Sequence, residues 1–209
     1  MTPRSASTPK RRRRPLQPGW EGAELYALGH STRSLEELIQ MLASFGIRTL
    51  ADIRTVPRSR ANPQFNPESL RPALRAVGLR YTQVKKLGGL RKKFHGPSPN
   101  AGWRNASFRN YADYMQTPDF EAGLEQVRKL AERGPVALMC AEAVPWRCHR
   151  SLVADALFAR GVPVQQLSGV GRAAPHRVTP FARFRGTRVT YPVDPRSPPE
   201  PEPAPKRGR

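Results

Sequence analysis

The chain has 209 residues, a net charge of +20 and only two cysteines. That length suits one ordinary domain, the apolar runs fall short of the ~18 residues that cross a bilayer, and two thiols make no secreted disulfide framework. With no apolar stretch behind its basic start to act as a secretory signal, the chain reads as a cytoplasmic, non-membrane protein.

The ends differ in composition from the middle. Residues 1–19 hold six basic residues and no acid, and residues 192–209 hold seven prolines. Neither stretch carries enough apolar surface to offset its ordering entropy, so both are predicted to be disordered tails around a folded unit at 20–191. The tails supply +6 and +1, which leaves +13 on the unit itself.

ELYALGHS (24–31) reads as a strand ending at a glycine. The spacing of Leu35, Leu38, Ile39 and Leu42 then predicts a helix, with Ser34 and Glu37 as a capping box and Gly46 as its stop. TLADIRTVP is a second strand stopped by Pro57. Asn66 and Pro67 open a helix that Gly78 closes, and LRYTQV is the third strand. Residues 85–106 are rich in glycine, proline and basic residues and read as a long functional loop or insertion. A helical stretch follows from about 107, and another starts at Pro118 and runs to Gly134. PVALMCAE is a buried strand, CHRSLVADALFARG a helix and PVQQLSGV the last strand. Strand and helix alternating through short connections imply right-handed crossovers and a mainly parallel sheet. The predicted fold is a single Rossmann-like three-layer α/β domain with an insertion after the third strand.

In such sheets ligands bind beyond the carboxyl ends of the strands. Strand one brings His30 and Ser31 there, strand two Asp52, Arg54 and Arg58, and the strand at 135–142 Cys140 and Glu142. The helix behind it starts with Cys148, His149 and Arg150. Residues 54–109 also carry thirteen Lys and Arg against one acid, Glu68, with aromatic residues interleaved, the composition of a polyanion-facing surface.

These same stretches, LGHSTRSLEEL, ADIRTVPRSRANPQFN, LGG, NAGWRN, YADYM, CAEAVPWRCHR and HRVTPFA, resemble the domain-of-unknown-function family 488 over about residues 25–191. The resemblance implies an intracellular α/β fold and a shared site built from His30, Asp52 and Arg54, Trp103, Arg104 and Asn105, and Cys140 to Arg150. It implies no reaction.

Cys148, at or before a helix N-terminus among Arg147, His149 and Arg150, is expected to have a lowered thiol pKa and to serve as a nucleophile. The plain alternative makes Cys140 a buried small hydrophobe and Cys148 an inert cap. Glu142 is a candidate acid or base with His30 or His149 as its complement, or else a salt-bridge partner of an arginine. Asp52 and Arg54 alternate along a strand and can simply pair. Arg104 and Asn105 are candidate contacts to a base or phosphate, while Trp103 could equally pin its loop to the core. Cys140 and Arg147 are spaced too widely for the phosphate loop of cysteine-dependent phosphatases. Cys140, Cys148 and His149, with His30 or His176, form only a weak metal pattern, and no metal or cofactor is expected. The leading reading is an enzyme acting on nucleic acid or a nucleotide through Cys148, Glu142, Cys140 and His149, with Arg54, Arg58, Arg104, Arg147 and Arg150 holding phosphate. A non-catalytic nucleic-acid-binding module and an enzyme on a small anionic metabolite are the alternatives.

Overall fold

The structure is a computed structural model that describes residues 14–93 and 96–193. Six strands form one sheet in the order β3-β2-β4-β1-β5-β6. The parallel part comprises β1 (Leu25–Gly29), β2 (Thr49–Asp52), β3 (Arg80–Gln83), β4 (Val136–Cys140) and β5 (Val164–Gly169). Central β1 and β4 are almost wholly apolar because both of their faces are covered.

The two covers are distinct. Ala137 and Met139 of β4 pack with Leu38, Met41 and Leu42 of α1 (Leu35–Ala43) and with Leu70 and Leu74 of α2 (Pro67–Ala76). The alternate residues Val136, Leu138 and Cys140 face the other way. They join Tyr111 of α3 (Ala106–Tyr114), Phe120, Leu124 and Val127 of α4 (Pro118–Ala131) and Leu152 and Val153 of α5 (Arg150–Ala159). This is the three-layer α/β arrangement that the alternation of strand and helix predicts.

Three local differences have physical causes. Ser34 does cap α1, its hydroxyl accepting from the Glu37 N–H at 3.1 Å, but the Glu37 carboxylate turns to Arg33 and does not close the capping box. The helix expected from Cys148 begins two residues later. A short turn at Pro145–Arg147 comes first, and the Cys148 N–H donates to the Pro145 carbonyl at 3.0 Å with Cys148 in extended backbone. The strand read as the last is followed by β6 (Arg172–Pro175), which folds back antiparallel on β5, and by a separate hairpin of β7 (Arg183–Arg185) and β8 (Arg188–Thr190).

Packing begins within the stretch read as the N-terminal tail. Arg14 donates to the Ala159 carbonyl at 3.1 Å, the Gln17 N–H donates to the Arg160 carbonyl at 2.9 Å, and Trp20 is buried. Residues 1–13 and 194–209, the rest of both tails, lie outside the described residues. Among the described residues no helix is long and apolar enough to cross a membrane.

The strand order sets the place of the site. The chain leaves β1 and β2 toward the α1/α2 face and leaves β4, which lies between them, toward the α5 face, so the outgoing loops diverge at the carboxyl end of β4. The loop after β4 crosses directly over the end of β1. A Cβ on Gly29 would stand 1.7 Å from the Glu142 carbonyl oxygen and 2.6 Å from Arg150 Nη1. Gly29→Ala is therefore expected to lower the midpoint of urea unfolding by an amount equivalent to about 1–3 kcal/mol, the usual cost of overpacking. An unchanged midpoint would contradict this crossing.

Candidate active site

A cavity of about 380 Å³ opens at this divergence, a size suited to a small ligand. His30 reaches it from the loop after β1, Arg54 to Ser59 from the loop after β2, and Cys140 to Glu142 and Arg147 to His149 from the connection between β4 and α5. Gly89, Leu90, Ser107, Phe108 and Tyr111 close its remaining wall.

One side of the cavity is held by a buried ion pair. Arg54 clasps Asp52 with Nε 2.9 Å from Oδ1 and Nη2 2.6 Å from Oδ2, and the Arg54 N–H also donates to Oδ1 at 3.0 Å. Tyr81 donates its hydroxyl to the same carboxylate at 2.7 Å. Two further Arg54 donors go to the Phe65 carbonyl at 2.8 Å and to His30 Nε2 at 3.2 Å. Because arginine only donates, His30 Nε2 is an acceptor and its proton sits on Nδ1, donating to the Ser31 carbonyl at 2.9 Å. Burial holds His30 below the ordinary imidazole pKa, consistent with this neutral tautomer. The pairing of Asp52 with Arg54 is thus the structural role weighed for them, and four of the five Arg54 N–H donors are given to protein groups. Ser31 takes a left-handed backbone (φ 52°), with its N–H bonded to Ala141 across the loop ends, and its side chain is not in the cavity wall.

The other side is built around a second buried arginine, Arg150, which is 1 % exposed. It donates to the Glu142 and Ala143 carbonyls, to Gln166 Oε1 and, from Nη1 at 2.8 Å, to Cys140 Sγ. Three arginines are buried among the described residues. Arg54 has Asp52 and Arg160 has Glu121 as carboxylate partners, but no carboxylate pairs with Arg150. A buried guanidinium is costly without a counter-charge, and the one ionisable group it touches is the Cys140 thiol. Burial pushes that thiol up, but the S–H donated by Cys148 at 2.8 Å and the Arg150 charge outweigh it and bring Cys140 down to about 7.

This reverses the expected order of the two cysteines. Cys148 is pushed up, first because its proton is held by the Cys140 sulfur and then by burial. Two sulfurs in contact cannot both ionise, and the guanidinium touches Cys140. His149 donates Nε2–H to the Ile53 carbonyl at 3.0 Å, which leaves Nδ1 as an acceptor 3.6 Å from Cys148 Sγ. Burial lowers His149 to about 4, so the ring is neutral at neutral pH.

Other expectations divide. Glu142 lines the cavity with an exposed side chain, and Arg150 meets it through its backbone carbonyl and forms no salt bridge with it. Arg58 and Arg147 are exposed on the cavity wall, Arg58 in contact with Glu68. Trp103, Arg104 and Asn105 are not part of it. Trp103 packs on Phe108, Phe181 and Tyr191, so it pins the loop to the core, and Asn105 caps α3 by accepting from the Ser107 and Phe108 N–H groups. His176 donates Nε2–H to buried Asp155 at 2.8 Å, which removes it from the weak metal pattern, and no cluster of three His, Cys, Asp or Glu able to hold a metal ion occurs among the described residues. Thr55, Tyr111 and the glycine pair of LGG were missed. Gly88 lies against Thr55 and Gly89 against His149, where a Cβ would come within 2.5 Å of each side chain. The only signal in the sequence was the doubled glycine.

A protein-family comparison matches residues 34–157 to a family described as Domain of unknown function DUF488. No curated protein and no solved structure matches the chain.

Alkylation of the native chain by iodoacetamide is expected to reach Cys140 before Cys148. Because the thiolate is the charged form and its pKa is lowered, the rate should climb as pH rises through about 7 and level off above it, well before an unfolded cysteine reacts fully. Arg150→Met should slow labelling at neutral pH and move the rise upward. Peptide mapping that finds Cys148 labelled first would contradict the assignment.

Proposed function

Because the chain belongs to the DUF488 family, whose description carries no reaction, its chemistry has to be argued from the cavity, and we propose that it is a thiol-dependent enzyme acting on a nucleotide or a nucleotide unit of nucleic acid. Cys140 is its nucleophile. The observation that carries this reading is the Cys140 sulfur, 2.8 Å from a buried guanidinium that no carboxylate neutralises, set in the wall of a cavity that also holds Arg58 and Arg147.

The division of labour follows from which arginines are buried and which are exposed. Arg54 and Arg150 hold the protein's own groups, so they shape the site and set its charge. Arg58 and Arg147, exposed on the wall, take the phosphate, and Glu142 on the same wall is positioned to exchange a proton with the departing group. A cavity of about 380 Å³ admits one nucleotide unit and excludes a duplex, so a polymeric substrate would present an end or an unstacked base. The basic stretch at 54–109 supports docking of the rest of such a chain, and its described Gly89, Leu90, Ser107 and Phe108 lie on the cavity wall itself.

Binding of a short labelled single strand, its duplex and a nucleoside triphosphate across a salt series tests the reading. Affinity should fall steeply with salt, and Arg58→Glu or Arg147→Glu should weaken binding and flatten the logarithmic slope by about one each. Cys140→Ser should retain affinity and lose any covalent adduct seen by intact mass. Salt-insensitive or absent binding to all three ligands would overturn the nucleotide class, and turnover by Cys140→Ser would overturn the thiol mechanism.

A further inference from the structure

The nucleophile needs one sulfur, yet the site holds two in contact. Cys140 and Cys148 stand with their Sγ atoms 2.8 Å apart, both buried, one ending β4 and the other just ahead of α5. The loop between them is fastened by Arg150 through the Glu142 and Ala143 carbonyls, so the pair is held together by the fold. His149 Nδ1, an acceptor, lies 3.6 Å from the Cys148 sulfur. A lone nucleophile has no use for a neighbouring thiol with its own proton acceptor.

We propose that Cys140 and Cys148 are a two-electron redox couple that reduces small hydroperoxides, with Cys140 as the attacking sulfur and Cys148 as the resolving one. The proposal rests on the reading of Cys140 as the nucleophile and adds a second activity to the same site. The Cys140 thiolate attacks the distal oxygen of the hydroperoxide, the S–O bond forms and the O–O bond breaks, and an alkoxide or hydroxide leaves beside the Arg150 guanidinium. Cys140 is now a sulfenic acid, oxidised by two electrons, and the peroxide has been reduced by two. Cys148 then attacks the Cys140 sulfur, giving its proton to His149 Nδ1. The S–S bond forms, the S–O bond breaks, and the departing hydroxide takes a proton to become water. A thiol reductant returns both cysteines to the free state at the cost of its own oxidation to a disulfide.

The burial of both sulfurs selects the oxidant. Cys140 is 1 % exposed and Cys148 4 %, and both lie in the cavity wall. Hydrogen peroxide and small alkyl hydroperoxides fit that approach, whereas attack on a protein disulfide would need a sulfur at the surface.

The test treats the full chain with stoichiometric hydrogen peroxide and maps its peptides without reduction. The expected product is a Cys140–Cys148 disulfide that dithiothreitol reverses, with continued peroxide consumption while dithiothreitol is supplied. Cys148→Ser should stop at a Cys140 sulfenic acid that dimedone traps, and Cys140→Ser should lose peroxide consumption. Far-ultraviolet circular dichroism of each variant separates these losses from misfolding. A dimedone adduct on Cys140 in the unsubstituted chain with no disulfide overturns the couple and leaves Cys140 standing as a nucleophile. Failure of Cys140 to react with either peroxide or iodoacetamide overturns both readings together.

Discussion

A guanidinium buried without a carboxylate is the constraint on which this site depends. Arg150 sits at the start of α5, out of solvent, and gives its donors to two loop carbonyls, a glutamine and the Cys140 sulfur. Charge inside a protein is tolerated best where it is paired, and the ionisable group within reach of this one is the Cys140 thiol. The same side chain therefore folds the loop and lowers the pKa of the cysteine it touches. Gly29 belongs to this arrangement, because the loop that Arg150 gathers can cross β1 only where no side chain stands.

The opposite wall uses the same element in the ordinary way. Arg54 is neutralised by Asp52, and what remains of its hydrogen bonding fixes the His30 tautomer and the Phe65 carbonyl. The two arginines differ in their partners, one neutralised by a carboxylate and the other set against a sulfur. Both stand at the carboxyl edge of the sheet because β4 lies between β1 and β2 and sends its loop to the opposite face. The cavity is the space which those diverging loops leave.

Much of this was legible in the chain. Periodicity and turn residues located the five parallel strands and five helices, and the rule for open α/β sheets placed His30, Arg54, Cys140 and Glu142 at one edge. What failed has specific causes. The strand β6, Arg-Ala-Ala-Pro, is exposed throughout and has no β-branched or aromatic residue to announce it. Cys148 is the thiol that sequence proximity favours, with three basic residues around it, and the chain gives no sign that the Arg150 guanidinium lies against Cys140, ten positions away. Trp103 and Asn105 looked like ligand contacts because aromatic and amide side chains in a basic loop serve either purpose, and here they anchor the loop and cap α3. Long-range contacts of this kind carry no local signature.

The proposed nucleophile Cys140 is expected to ionise near neutral pH while Cys148 keeps its proton. Ultraviolet thiolate absorbance of the native chain, followed against pH with the unfolded chain as reference, measures this directly. The expected result is one thiolate per chain appearing around pH 7, with the second withheld throughout the range in which unfolded cysteine ionises. Two thiolates appearing together near the ordinary cysteine pKa of about 8.5 would contradict the account.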